Sequence, residues 1–372
     1  MTRNDAHIYK ADYTRLINCM QKAMRGEELT LGFFGGSITQ GSLASAPENT
    51  YAYLVFCWWK QNFPKAKLHY INGGIGGTTS HYGVVRVVTD MLMYQPDFIV
   101  VDFSVNDIPN AFFQETYEGL VRKMLSWHSG PAILLLNNVY YDTGINAQEY
   151  HNAVGEHYRL PYVSIRDTVY QEIKAGAYKP QELTPDGLHP NDAGHRLVAN
   201  EIIKLLNQVK EMAGGAHTAE RSGESFLPNP MTANAYERAK RLTIREISPY
   251  LQGFYTDTDE KMGRLDHFKN GWLGAHPGDR IRFEVEAANI AVQYRKTIKR
   301  PAMRAQLILD EDMERPILLD GNFDEDWGEC LYLEPVLHHG ENKQHTVEVI
   351  VLDIDVQNTQ TQPFYLMSLI IA

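Results

Sequence analysis

Leu29-Thr30-Leu31-Gly32-Phe33-Phe34-Gly35-Gly36-Ser37-Ile38-Thr39-Gln40-Gly41 is an apolar run that stops at two glycines and a serine. Residues 29–35 have the composition of a buried strand. A serine on the glycine-flanked turn at its exit can lift its hydroxyl into a cleft, and open α/β sheets bind ligands outside the carboxyl ends of their strands. The same pattern repeats along the first half of the chain. Strands are expected at 29–35, 67–72, 97–104, 132–137 and 161–164, while 51–62, 80–94, 114–128 and 146–157 carry helical periodicity. That alternation implies a three-layer α/β/α domain, a parallel sheet with helices on both faces. A long helix over 191–212, opened by Pro190 and stopped by Gly214-Gly215, closes it.

Composition changes after that helix. Residues 214–233 are rich in Gly, Ser, Pro and Asn and read as a linker. Beyond them, short Val-, Ile-, Tyr- and Phe-rich runs at 280–287, 290–294, 305–309, 330–333, 346–352 and 365–371 alternate with turns and leave no room for helices. This spacing predicts a β-sandwich, jelly-roll-like in form. The expected organisation is an α/β domain over 1–213, a linker over 214–233 and a sandwich over 234–372. At 372 residues the chain suits two domains.

The strand exits also carry chemistry. A serine hydroxyl needs a base and a group that orients the base. Pro185-Asp186-Gly187-Leu188-His189-Pro190 offers both three residues apart, on a stretch punctuated by Pro and Gly. An oxyanion needs donors, and Ile71-Asn72-Gly73-Gly74-Ile75-Gly76-Gly77-Thr78-Thr79 supplies backbone amides after the second strand. Asn106, in Ser104-Val105-Asn106-Asp107, supplies a side-chain amide after the third. Each piece alone has a plainer explanation: a helix N-cap for the serine, a solvated loop for DxxH, a turn for Asn-Asp. The glycine run is neither a dinucleotide loop, since Thr79 stands where the third glycine belongs, nor a P-loop, since no GK[ST] follows. Their order, each at a strand's exit, outweighs the separate readings.

In that order the four stretches resemble the SGNH (GDSL-like) hydrolases, whose blocks are GDS, a Gly-rich turn, GxND and a late DxxH. The resemblance implies Ser37 as nucleophile, His189 as general base and acid, and Asp186 as its orienter. It further implies an oxyanion hole formed by Ser37, Gly77 and Asn106, with no cofactor and no metal. The chain departs from the pattern at two positions, Gly36 for the Asp of GDS and Ser104 for the Gly of GxND. Gly-Gly-Ser-Ile-Thr and the two-domain layout look like carbohydrate acetylesterases of the acetyl mannan esterase type. Such enzymes remove acetyl groups from mannose units of plant β-mannan and use the second domain to help build the sugar site. The resemblance therefore implies an acetylated manno-oligosaccharide, or a related plant-glycan fragment, as substrate. Trp327 with Asp324 and Asp326, Trp272, and Tyr140 are the expected sugar contacts, because aromatic rings stack on sugar faces and carboxylates bind hydroxyls. Core packing is the alternative for each Trp, and it prevails for Trp58 and Trp59 inside an apolar helix pattern. An esterase for another small acyl ester, an acyltransferase and a non-catalytic sugar-binding protein are the rival classes.

The net charge of −11 argues against nucleic acid as a partner. No run has the length of a membrane span. His151 and His157 are too far apart for an HExxH pair, and His338-His339 lacks ligands at helical spacing. Cys19, Cys57 and Cys330 make neither a disulfide framework nor a zinc knuckle. Residues 1–7 lack the apolar segment of a secretory signal, so the expected location is the cytoplasm. The oligomeric state is left open.

Overall fold

The structure is a computed structural model and describes residues 11–215, 227–263, 265–353 and 361–372. Residues 1–7 and most of the expected linker, 216–226, lie outside the described residues. Chain contacts divide the protein into two units between Glu237 and Arg238.

The first unit runs α1 (Thr14–Met24), β1 (Glu28–Gly35), α2 (Ser37–Gln40), α3 (Tyr51–Asn62), β2 (Lys67–Asn72), α4 (Ser80–Asp90), β3 (Phe98–Asp102) and α5 (Ala111–Leu125). It continues with β4 (Ala132–Asn137), α6 (Gln148–His157), β5 (Tyr162–Ser164), α7 (Val169–Lys174), α8 (Pro180–Leu183) and α9 (Asp192–Gly215). The sheet order is β2-β1-β3-β4-β5, with every pair parallel. The expected strands are all present. Strands β3 and β4 are buried along their whole length, as the apolar runs of a sheet covered on both faces must be. Two crossover helices open on side-chain caps: Thr50 accepts from the Tyr53 amide and Asn110 from the Phe113 amide. Helix α1 was not expected, although Leu16, Cys19, Met20 and Ala23 are buried at helical spacing.

The described part of the expected linker after residue 226 is held in place. Glu118, fully buried, accepts hydrogen bonds from the Met231 amide at 2.7 Å, the Thr232 amide at 2.9 Å and the Tyr158 hydroxyl. Glu115 accepts from the Ala235 amide at 2.8 Å, and Arg122 donates to the Pro228 carbonyl at 2.8 Å. A buried carboxylate is tolerated where backbone donors surround it, and here those donors fix residues 228–235 on α5.

The second unit contains β6 (Lys240–Leu242), β7 (Tyr250–Gln252), β8 (Tyr255–Thr256), β9 (Trp272–Gly274), β10 (Arg280–Ala287), β11 (Ile290–Thr297), β12 (Arg304–Leu309), β13 (Ile317–Asp320), β14 (Glu329–Leu337), β15 (Lys343–Val351) and β16 (Phe364–Ile371). They form two antiparallel sheets, β13-β12-β15-β10-β7 and β14-β11-β16-β9-β8, with β6 also on β16. Phe283, Leu307 and Val349 from one sheet and Val292, Tyr294 and Leu366 from the other share one core. This is a β-sandwich. Among the described residues no helix is long and apolar enough to cross a membrane.

Candidate active site

Parallel strands bring the ends of β1, β2 and β3 to one edge of the sheet, and the polar blocks follow those ends. Ser37 is the first residue of α2, directly after β1, and only 8% exposed. Its Oγ lies 2.7 Å from His189 Nε2, and His189 Nδ1 lies 2.6 Å from Asp186 Oδ2. The other carboxylate oxygen of Asp186 accepts from the amides of Leu188 at 2.9 Å and His189 at 2.7 Å, and from Thr184 Oγ1 at 3.1 Å. Partial burial pushes the Asp186 carboxyl up, but the His189 ring and the two amides outweigh it and bring the group down to about 2. An ionised carboxylate keeps the proton on Nδ1 and leaves the Nε2 lone pair facing the serine.

Asn106 lies against the residue before the serine. A Cβ added at Gly36 would stand 2.2 Å from Asn106 Oδ1, so the aspartate of GDS would fit here only if the Asn106 amide moved. Ser104, the other departure, donates its hydroxyl to the Asn138 carbonyl at 2.8 Å and is fully buried. The glycine turn after β2 closes over α2: a Cβ at Gly74 would be 2.1 Å from the Gln40 nitrogen, and one at Gly76 would be 3.7 Å from Ser37 Cβ. Gly77 has φ +66° and is exposed, a conformation glycine adopts without strain.

The sequence reading missed the residues that hold these blocks. Asp107 accepts from the Ser80 amide at 2.8 Å and pairs with His151 Nε2 at 3.0 Å, and the His151 ring stacks on Tyr117 at 3.6 Å. Arg86 donates to the carbonyls of Gly73 at 2.7 Å and Gly35 at 2.9 Å. Asp102 accepts from Thr39 Oγ1 at 3.1 Å and Asn138 Nδ2 at 2.8 Å, and burial pushes its carboxyl up to about 7 against those bonds. Asp192 takes the Ser45 amide and hydroxyl at 2.8 and 2.6 Å, tying the loop after α2 to α9.

The expected sugar contacts divide. Tyr140, partly buried, lies in the loop after β4, and the next amide, of Tyr141, donates to the Gly187 carbonyl at 2.7 Å. Trp327 is 51% exposed, edge-on to Phe323 at 4.9 Å, and Asp324 and Asp326 beside it are exposed. Asp324 pairs with Arg300 at 2.6 Å. Trp272 is a correction: it lies on β9, 1% exposed, and packs edge-on against Phe283 at 5.2 Å. Pairing of β9 with β16 turns the ring into the sandwich core, where no sugar face can reach it.

A model of the GDSL-like lipase/acylhydrolase family matches residues 33–197. Thioesterase 1/protease 1/lysophospholipase L1 of Escherichia coli (strain K12) is 24% identical over 185 residues, 48% of this chain and 83% of that protein. The crystal structure of a two-domain esterase active on acetylated mannans is 47% identical, with a TM-score of 0.92, covering 97% of this chain and 95% of its own. A crystal structure of a two-domain esterase active on acetylated mannans, co-crystallised with mannopentaose, is 46% identical, with a TM-score of 0.91 and the same two coverages.

Proposed function

The chain belongs to the GDSL-like lipase/acylhydrolase family, and from that premise we propose that it is a serine esterase removing O-acetyl groups from mannose units of mannan-derived oligosaccharides. The observation that carries the chemistry is the hydrogen-bonded chain from Ser37 Oγ through His189 to Asp186, at 2.7 and 2.6 Å. The substrate class rests on similarity across nearly the whole chain to esterases active on acetylated mannans.

In this reading Ser37 Oγ attacks the acetyl carbonyl carbon while His189 Nε2 takes its proton. The carbonyl oxygen becomes an oxyanion held by the amides of Ser37 and Gly77 and by the Asn106 side chain. The first amide of a helix has no partner within its own helix and suits that task. Collapse breaks the ester bond, His189 returns the proton to the departing sugar oxygen, and an acetyl group remains on Ser37. Water, deprotonated by His189, then attacks the acetyl carbon, releasing acetate and restoring the hydroxyl. Asp186 stabilises the imidazolium in both halves.

Tyr140 in the first unit, and Trp327 with Asp324 and Asp326 in the second, are proposed as sugar contacts, each within its own unit. Trp327→Ala is expected to weaken turnover of an acetylated oligosaccharide and leave a small aryl acetate untouched; equal small effects on both would return the ring to a packing role. Residence in the cytoplasm is part of the proposal, since Cys19, Cys57 and Cys330 are free thiols of a kind that persists under reducing conditions; cell fractionation checks it. The substrate is tested by mass spectrometry of acetylated manno- and xylo-oligosaccharides before and after incubation. Preferential loss of acetyl groups from the manno series is the expected result, and equal or opposite preference would overturn the assignment.

A further inference from the structure

Four of the five residues from Gly73 to Gly77 are glycine. Glycine gives such a stretch unusual backbone freedom, yet an oxyanion donor works only if it is fixed before the reaction. Its two ends are held by strand-like bonds and neighbouring side chains. The Gly73 amide donates to the Phe33 carbonyl at 2.6 Å and the Ile75 amide to the Gly35 carbonyl at 3.0 Å. Asn72 accepts from the Gly74 amide at 2.8 Å while donating to the Thr39 carbonyl at 2.7 Å. Thr78 Oγ1 donates to the Ile75 carbonyl at 2.7 Å. Gly76, where an added Cβ would stand 3.7 Å from Ser37 Cβ, is met by a side chain from the nucleophile helix itself: Gln40 Oε1 accepts the Gly76 amide at 2.6 Å.

We infer that Gln40 is a positioning residue for the oxyanion turn: by engaging the Gly76 amide, it fixes the peptide before Gly77 and leaves the Gly77 amide as the turn's donor to the oxyanion. The inference rests on the reading of Ser37 and Gly77 given above. Gln40 sits on the same four-residue helix as Ser37, three residues on, so it ties donor and nucleophile into one rigid piece. A side chain that only filled space there would need no acceptor, and methionine would replace it.

The test compares wild type with Gln40→Met, which keeps length and removes the acceptor, and Gln40→Ala as a second variant. Gln40 is only partly buried, so both are expected to fold, as circular dichroism and melting would verify. Readouts are kcat and KM on an aryl acetate, inhibition by a small boronic acid, which mimics the tetrahedral adduct on Ser37, and affinity for unacetylated mannopentaose. Misaligning rather than deleting one donor is expected to lower kcat about ten- to hundred-fold, weaken the boronic acid by the same factor, and leave KM and mannopentaose affinity within about two-fold. Wild-type kcat and boronic acid inhibition in Gln40→Met would overturn the inference while leaving Ser37 as nucleophile. Parallel losses in kcat, KM and sugar affinity with a lowered melting temperature would also overturn it, since the residue would then merely support the fold. A wild-type enzyme insensitive to the boronic acid would instead defeat the underlying reading of Ser37.

Discussion

Replacing Asp186 by asparagine separates the carboxylate's charge from its geometry. One oxygen of Asp186 takes three donors, from Leu188, His189 and Thr184. An amide oxygen takes the same three, so the loop should keep its shape. The amide nitrogen must then occupy the Oδ2 position, 2.6 Å from His189 Nδ1. Two donors cannot face each other at that distance, and the ring proton is driven to Nε2. There it points at Ser37 Oγ, 2.7 Å away, and the base has no lone pair left for the serine. In a buried triad this change costs about 10⁴ in kcat, or about 5.4 kcal/mol at 1.36 kcal/mol per decade. This pair is more open, with the His189 and Asp186 side chains 22% and 44% exposed. Water can therefore support the productive tautomer part of the time. The expected loss is about 10²- to 10³-fold in kcat, with KM nearly unchanged. The assay is steady-state hydrolysis of an aryl acetate, alongside thermal melting of both proteins. A loss under about five-fold would refute the tautomer argument. An equal loss with a large drop in melting temperature would mean that the amide disrupts the loop and not the proton.

Other residues give further expectations. Ser37→Ala and His189→Ala should each lower kcat by about 10³-fold or more, and the double variant should be little worse than either; additive losses in kcat would show that the two do not act as a unit. Asn106→Ala should cost about 2.7–4 kcal/mol in kcat with little change in KM, and a pure KM effect would place Asn106 in ground-state binding. Asp102, whose carboxyl burial raises to about 7, holds its proton in the folded state to higher pH than in the unfolded chain. Its contribution to stability is therefore full below the ordinary carboxylate range and is lost as pH rises toward that value. Asp102→Asn cannot ionise, so its melting temperature relative to wild type should climb between about pH 4 and about pH 8. A difference that is flat across that range would refute the placement of the charge.

The sequence announces the catalytic blocks because each couples a local punctuation to a reactive side chain. Gly35-Gly36-Ser37 ends an apolar run, and Pro185 and Pro190 bracket Asp186 and His189. The supporting residues carry no such mark. Arg86 sits inside a helix pattern and meets Gly35 and Gly73, while Asp107 meets His151, 44 positions away. Such pairs exist only once the sheet is assembled. Gln40 was within reach of inspection, being three residues after Ser37, but its partner lies 36 residues on. Trp272 shows the opposite error. Gly271 before it looks like a loop signal, whereas a Cβ there would strike the Leu366 carbonyl at 2.4 Å, so that glycine marks close strand packing and the tryptophan is core. The Gly-, Ser- and Pro-rich composition after α9 likewise hides that residues 231, 232 and 235 are captured by Glu118 and Glu115.

In the proposed mechanism the acetyl group passes through the Ser37 oxygen. Intact-protein and peptide mass spectrometry after acid quenching, during turnover of an acetyl ester, tests it most directly. One acetyl group is expected on the peptide containing Ser37 in the wild type, with neither adduct nor acetate release in a folded Ser37→Ala protein. Acetate release at the wild-type rate by Ser37→Ala, or an adduct that maps to another residue, would contradict it.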